Sequence, residues 1–396
     1  MRGQITVFII IGLVVLIVFG FAIYLSASVK KRVPVSESFD VQTFVDYVNS
    51  CLEKTAVQGL SLLGKQSGYL FVSQGGITPD ISPASLGVDF LIYNNLNVPF
   101  AVVPPEGSVG LLSSSPPEYP FEGFPFFDGK KIFQGFYGLV KLPPLYKKSP
   151  DNKRVPDSIQ ESLESFVENN IVKCADFRIF EEQGYSFSVG EPVVSLILAS
   201  NVSYFSGETF VTFVLDWPVE VSLGEKRAQI KDFAVKVPVR LASLYFFVKD
   251  LIDKDAGNIS FVPVSVPPFS VSVVDVGFDS VVSVRDSYSV INNTSFEFVV
   301  ARKNRAPALW FIPEISEGFC VGDKIFVDNN VLKIGGFSVE LNASDPDEDS
   351  VLFRVDKSLF LESDLPGPLN LRVSAFDGAL EDYQDLKLRF SVCPEN

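Results

Sequence analysis

Residues 209–253 read TFVTFVLDWPVEVSLGEKRAQIKDFAVKVPVRLASLYFFVKDLID, and a change of pattern within this stretch decides the fold class. Thr209–Trp217 and Gln229–Val237 are rich in Val, Phe and Ile, which predicts two strands. After Pro238 the apolar residues of Val239–Asp253 follow helical spacing, which predicts a helix. Strands in runs, with a few helices covering one face, are typical of an α+β fold.

The same two patterns continue on both sides of this stretch. Helical spacing predicts a helix over Ser38–Lys65, capped by Ser36 or Ser38, and another over Asp157–Lys173, capped by Asp157 or Ser158. Further strands are predicted at Gly87–Tyr93, Lys131–Val140, Val193–Leu198, Ser260–Val266, Ser270–Val276 and Ser295–Ala301. Residues 33–302 are therefore expected to form an α+β unit, with a subdivision near 156 as one option.

Residues 120–138, PFEGFPFFDGKKIFQGFYG, form an aromatic cluster within a proline-rich stretch that excludes long helices. Such a cluster serves either as a contact surface or as the core of a region poor in regular structure. The sequence leaves both interpretations open.

Composition narrows the classes of function. The chain has 396 residues, of which 47% are hydrophobic and 20% charged, and this supports packed cores. It contains no His, which removes Ser-His-Asp and Cys-His nucleophile systems and imidazole metal sites. A net charge of −15 and the lack of a basic cluster beyond 30–32 argue against a nucleic-acid partner. No carboxylate pair and no Gly-rich phosphate loop stands out, so we expect no enzyme.

The chain begins with an apolar run that predicts a membrane anchor over residues 1–32. Ile5–Ala27 carries no charge, and as a helix it spans roughly 34 Å, enough for a hydrocarbon core of about 30 Å. The alternative is a cleaved signal peptide, but the apolar region of such a peptide is shorter, about 7–15 residues. The predicted partner of this segment is the lipid bilayer.

Charge and modification signals disagree about which side of the membrane carries the large domain. Arg2 precedes the span and three basic residues at 30–32 follow it, which by the positive-inside rule places the remainder in the cytoplasm. An even number of cysteines and five N-glycosylation sequons favour the exterior. The sequons are at Asn201, Asn258, Asn292, Asn293 and Asn342. We expect a single-pass protein of the cell membrane with its ectodomain outside.

The opening Arg2-Gly3-Gln4, followed directly by the apolar run, resembles an archaeal class III, type IV pilin-like signal. The resemblance implies cleavage between Gly3 and Gln4 with the helix retained. Phe8 stands at the fifth mature position, where many pilins carry Glu. Four features extend over roughly residues 1–300: the opening RGQITVFIIIG, Cys51-Leu52-Glu53, the helix ending at Cys174 and the Phe-Phe helix after Pro238. In these features the chain resembles uncharacterised surface proteins of small-genome archaea, a family for which no activity is known.

Three short motifs follow one another near the C-terminus: Asn-x-Ala-Pro at Asn304–Pro307, Asp-Pro-Asp-x-Asp at Asp345–Asp349, and Val-x-Ala-x-Asp-Gly at Val373–Gly378. In this order they resemble the opening linker, the acidic turn and the closing strand and turn of a cadherin-like or dystroglycan-like immunoglobulin domain, here over residues 303–396. The resemblance implies an all-β immunoglobulin-like sandwich following the α+β ectodomain.

The same resemblance implies calcium ligands at Asp345, Asp347, Asp349 and Asp377, because calcium prefers six to eight oxygen ligands. The linker departs from the cadherin pattern, since Arg302, Lys303 and Arg305 stand where acidic residues are expected. The alternative is a solvated acidic turn whose side chains bond their own backbone. No other cofactor is expected.

Four cysteines allow three pairings. The division into domains, which rests on the resemblance, favours Cys51–Cys174 and Cys320–Cys393. Free thiols or a metal site are the alternatives, although the chain has no Cys-x-x-Cys spacing for zinc.

Three functions follow as hypotheses. The first is a membrane-anchored structural or adhesive protein of the cell surface, whose partners are other surface proteins or itself. The second is a pilin-like filament subunit cleaved after Gly3. The third is an anchored hydrolase of envelope polymers, which would need a pocket lined by two facing carboxylates.

Overall fold

The computed structural model describes residues 41–80, 89–104, 138–198, 210–356, 360–362 and 366–393. The predicted membrane helix over 5–27, the processing site at Gly3 and Gln4, the sequon at Asn201 and nearly all of the aromatic cluster at 120–138 lie outside these ranges. Among the helices that fall within them, none is long and apolar enough to cross a membrane.

Three long helices occur where helical spacing predicts them. They are α1 (Gln42–Lys65), α2 (Ile159–Cys174) and, after the short α3 (Arg178–Glu181), α4 (Leu241–Gly257). A 3-10 turn lies at Val72–Gln74. The hydroxyl of Ser158 accepts the N–H of Glu161, so Ser158 rather than Asp157 caps α2.

The strands of the first unit form two sheets. The first contains β1 (Phe90–Tyr93), β2 (Leu96–Val103), β3 (Leu139–Val140), β8 (Phe269–Val276), β9 (Asp279–Ile291) and β10 (Thr294–Arg302). Its order is β1-β2-β10-β9-β8, with β3 beside β2, and only the β2–β10 pair is parallel. The second contains β4 (Ser186–Val189), β5 (Val193–Ile197), β6 (Val211–Leu223) and β7 (Lys226–Val237), and β6 pairs with the other three. We call this unit, residues 41–302, the body.

One hydrophobic core joins the helices of the body to its sheets. Side chains of β6 alternate, so that Phe213, Leu215 and Trp217 are buried against the helices. The same core contains Leu52 of α1 and Phe298 of β10, and it therefore includes residues from both sides of position 156. Burying each such large side chain stabilises the fold by about 1.5–3 kcal/mol.

The strand predictions for the body need one correction and three additions. The strand predicted at Ser260–Val266 is wrong, because this segment holds only one isolated bridge, from Val266 to Phe269. Prolines at 263, 267 and 268 supply no N–H for a ladder. The strands β2, which contains Pro99, β4 and β9 were not predicted.

The C-terminal residues form a β-sandwich-like domain, here called the sandwich. Its strands are β11 (Ala308–Leu309), β12 (Gly318–Cys320), β13 (Lys324–Asp328), β14 (Val331–Ile334), β15 (Phe337–Glu340), β16 (Ala343–Ser344), β17 (Leu352–Val355), β18 (Phe360–Glu362), β19 (Gly367–Phe376) and β20 (Glu381–Ser391). One sheet has the order β12-β20-β19-β17 and the other β15-β14-β13-β18, and a small ribbon pairs β11 with β16. Inward side chains of both sheets, such as Leu332 and Val373, form a core separate from that of the body.

Each unit contains one disulfide bond. Cys51 of α1 bonds Cys174 at the end of α2, with 5.6 Å between the Cα atoms. Cys320 of β12 bonds Cys393 after β20, with 5.4 Å between the Cα atoms. The structure leaves no free cysteine. The pairs are those that the division into domains favours.

Candidate functional site at the domain junction

The chain passes from body to sandwich through a segment that is packed like a core. Arg302, the last residue of β10, is 4% exposed, Asn304 is 6% exposed and Arg305 is fully buried. Linkers between domains are usually exposed and flexible. Here the connection is buried, so its polar side chains must find partners within the protein.

Arg305 connects the two units through charged hydrogen bonds. Its guanidinium Nη2 donates to Asp347 Oδ1 at 2.8 Å in the sandwich and to Asp255 Oδ1 at 3.1 Å in the last turn of α4. The backbone N–H of Arg305 also donates to Asp347 Oδ2 at 2.7 Å. One buried arginine thus pairs with a carboxylate from each domain.

Arg302 completes this network. Its Nε lies 3.0 Å from Asp347 Oδ1 and its Nη1 lies 3.3 Å from Asp255 Oδ1. Two buried arginines therefore balance two buried carboxylates. Removing one member of such a group leaves an uncompensated charge in a site that water cannot reach, and this is strongly destabilising.

Three other carboxylates gather beside the network. Oxygens of Asp345, Asp349 and Asp377 all lie within 4.8 Å of one another. Local backbone bonds fix two of them, since Asp345 Oδ1 accepts the N–H of Asp349 at 3.1 Å and Asp377 Oδ1 accepts the N–H of Leu380 at 2.6 Å. We call these three residues the acidic cluster.

Two buried oxygens at the acidic cluster lack hydrogen-bond partners. One is Oδ2 of Asp345, and the other is Oδ1 of Asn304. The carboxamide of Asn304 reaches the cluster, because its Nδ2 donates to Asp377 Oδ2 at 3.0 Å. Buried oxygens without donors are costly in a folded protein unless a ligand or ion satisfies them.

Burial and neighbouring charge alter the acidity of the cluster. Burial, together with the carboxylates of Asp347 and Asp349, raises the pKa of Asp345 to about 7. The pKa of Asp349 is also raised, first by burial and then by nearby carboxylates, among them Asp275 of β8. The body therefore contributes negative charge to a cluster whose members belong to the sandwich.

Grouped carboxylates with unpartnered oxygens are the chemistry that a divalent cation requires. Three carboxylates and the Asn304 carbonyl supply oxygen ligands of the kind calcium prefers. A cation there would offset the mutual repulsion of these groups and would lie between the two units. Fewer than the six to eight oxygens of a complete calcium site come from these side chains, so waters or backbone carbonyls would supply the remainder.

The structure brings together three of the four predicted calcium ligands. Asp347 points instead to Arg302 and Arg305, two of the three basic residues in which this linker departs from the expected pattern. Sequence reasoning did not find Asn304 as a member of the site or Asp255 as a partner of the arginines. Asn304 stood in the quoted linker motif, but nothing in the sequence around Asp255 indicated that α4 ends at the junction.

Four predicted sequons fall on described residues, and all four are exposed. They are Asn258, Asn292, Asn293 and Asn342. Asn292 and Asn293 form the turn between β9 and β10, with φ of 49° and 62°. Their exposure is compatible with modification.

Comparison with known proteins supplies no family for this chain. No protein-family model matches it, and no curated protein has a similar sequence.

Proposed function

We propose that this chain is a membrane-anchored protein of the cell surface that presents its ectodomain outside the cell and acts through structural or adhesive contacts. The observation that supports this best is the pair of disulfide bonds, one closing each unit. Disulfides persist in oxidising surroundings and are rare in the cytosol. The apolar run over 5–27 supplies the anchor in this proposal.

A mechanical role fits the way the two units are joined. A short buried connection with charged bonds to both domains resists bending far better than an exposed linker does. An ectodomain built in this way would hold the sandwich at a fixed angle to the body. Its partners in the proposal are the lipid bilayer, other surface proteins and further copies of itself.

Protease shaving of intact cells tests the location. Trypsin added to intact cells should release fragments from residues 33–396, because many exposed Lys and Arg residues would face the medium. A matched sample of lysed cells gives the complete digestion pattern. A chain that stays intact until lysis would overturn the proposed orientation. The mass of the mature N-terminus, read in the same experiment, distinguishes an intact anchor from one cleaved after Gly3.

A second candidate function, calcium-dependent stiffening of the junction, is favoured by the unpartnered oxygens at the acidic cluster. We propose that calcium bound by Asp345, Asp349 and Asp377, with the carbonyl of Asn304, stabilises the contact between body and sandwich. Because a ligand that binds the folded state raises its melting temperature, calcium should stabilise the protein in proportion to its affinity.

Thermal melting of the detergent-solubilised full chain, with millimolar calcium and then with chelator, tests this second function. The wild type should melt several degrees higher with calcium, and Asp349→Asn should lose most of that gain. Asp328→Asn removes the same charge from an exposed turn of the sandwich, where Asp328 pairs with Lys333, and should keep the gain. A wild-type melt that is unchanged by calcium would leave the acidic cluster as a plain solvated turn.

A further inference from the structure

A polar groove lies far from the junction, along the outer face of α1. Three adjoining cavities of about 690, 630 and 230 Å³ make it up. The first two share Ser61 and Asn292, and the second and third share Lys65 and Arg285. The groove therefore runs without interruption from α1 across β9 and β10 toward the β1–β2 turn. The part along α1, from Ser50 to Lys65, covers about 22 Å of helix.

The lining of this groove is rich in hydroxyl and carboxamide groups. These groups come from α1, from the β9–β10 hairpin and from the β1–β2 turn. They include Gln58, Ser61, Asn94, Asn292, Thr294 and Ser295. Each can donate and accept hydrogen bonds, which suits a ligand that carries many hydroxyls of its own.

Cations stand along the groove at intervals. Lys54 and Lys65 are exposed, and neither side chain has an ion-pair or hydrogen-bond partner among the described residues. Arg285 bonds Glu297 through Nε at 3.1 Å, and its side chain remains 60% exposed. Glu53 and Glu297 are the two carboxylates in the lining. In a chain of net charge −15, three cations in one polar groove form a local site for an anion.

The sheet topology disfavours a peptide as the occupant. A peptide that binds as an added strand pairs in the plane of a sheet at a free edge, whereas this groove lies over the face of β8, β9 and β10. A peptide that binds as a helix needs a row of apolar pockets, whereas Val57 and Leu62 are the two apolar residues in the lining of the first cavity. An extended, hydroxylated, anionic chain requires neither a free sheet edge nor a row of apolar pockets.

We propose that this groove binds an anionic polysaccharide, whose carboxylates pair with Lys54, Lys65 and Arg285 and whose hydroxyls bond the polar side chains of the lining. This proposal deepens the proposed surface function and rests on it, because such polymers occur in cell envelopes and outside cells. The protein would thereby attach to a matrix or envelope glycan through the body, leaving the sandwich free for other contacts.

Binding of labelled oligogalacturonate to the purified full chain in detergent micelles, measured by fluorescence anisotropy, tests the groove. The protein should come from a host that forms disulfides but adds no N-glycans, so that sugars on Asn292 or Asn293 cannot compete. Binding should weaken as salt rises, because exposed charge pairs are screened. The double variant Lys54→Gln/Lys65→Gln should bind about 2- to 30-fold more weakly, as expected for two exposed ion pairs.

Two further variants serve as controls. Lys148→Gln/Lys387→Gln removes two exposed charges elsewhere and should bind like the wild type. Ser61→Trp fills the groove at the boundary of the first two cavities and should reduce binding without changing charge.

Three results would overturn the proposal. The first is that the wild type fails to bind oligogalacturonate. The second is that the two double-lysine variants lose equal affinity for it, and the third is that the wild type binds a neutral maltooligosaccharide with equal affinity. Equal affinity for polyglutamate would point to an acidic peptide instead. Since the assay uses purified protein, its failure leaves the cell-surface location untouched, and a failed shaving experiment leaves the binding result untouched.

Discussion

Replacing Arg305 by Met tests whether the buried charge network fixes the two units to each other. The variant keeps an unbranched aliphatic side chain and the backbone N–H bond to Asp347, but it removes the guanidinium bonds to Asp255 and Asp347. Breaking a buried pair by removing one partner typically costs about 3–5 kcal/mol. Because Arg302 still lies within 3.0–3.3 Å of both carboxylates, we expect a loss in the free energy of unfolding near the lower end of that range, about 3 kcal/mol.

The two tryptophans allow each unit to be followed separately. Trp217 is 1% exposed in the core of the body, and Trp310 is 43% exposed at the start of the sandwich. Urea unfolding of the full chain in detergent, followed by Trp fluorescence, reports both units when both tryptophans are present and the body alone in the Trp310→Phe background. We expect one shared transition in the parent and two separate transitions after Arg305→Met, because the units would no longer stabilise each other.

The control is Arg372→Met, which removes an arginine bonded at 2.9 Å to Asp385 on the surface. Exposed ion pairs contribute about 0–1 kcal/mol, and this arginine also lies over the ring of Tyr383, so the loss should be small. The reasoning is refuted if Arg305→Met costs no more than Arg372→Met. The double variant Arg305→Met/Asp347→Asn should recover part of the loss, because one buried charge then disappears with its partner.

Three further outcomes are expected. Folding raises the pKa of Asp345 from 3.8 to about 7, so ionisation of this carboxyl lowers the stability of the protein as pH rises through that window. The calcium-induced rise in melting temperature should therefore be larger at pH 8 than at pH 5. Asp345→Asn should reduce this difference between the two pH values. Replacing both Cys51 and Cys174 by Ser should lower the free energy of unfolding by about 2–5 kcal/mol, measured by urea unfolding against the oxidised wild type; an equal midpoint for the two proteins would contradict this. A Cβ on Gly64 would lie 2.3 Å from the backbone carbonyl oxygen of Glu297, so Gly64→Ala should lower the melting temperature by several degrees. Gly257→Ala is the control, because a Cβ on Gly257 would have no atom within 4 Å, and it should leave the melting temperature nearly unchanged.

Local pattern was enough to predict the three long helices of this protein, whereas the short α3 was not predicted. A stripe of apolar residues such as Leu52 and Leu60 requires a helix that buries one face, and both are fully buried in α1. The strands β6 and β7 were predicted from their content of Val, Phe and Ile, and in the structure the residues of β6 alternate between core and surface. Periodicity was less informative for β9, where the five consecutive residues Ser280–Val284 are buried on both faces of the sheet and show no alternation.

Only the tertiary structure could decide the chemistry of the junction and of the groove. The sequence by itself determined that Asp345, Asp347, Asp349 and Asp377 follow a linker with basic residues, but charge type does not specify which carboxylate meets which cation. That choice depends on α4 ending beside the linker, where Asp255 and Asp347 share Arg305. The groove likewise joins Lys54, Lys65 and Arg285 across two elements distant in the chain. Contacts between segments that are distant in the chain depend on how helices and sheets pack against each other. The periodicity of apolar residues in the sequence indicates only which face of each element is buried.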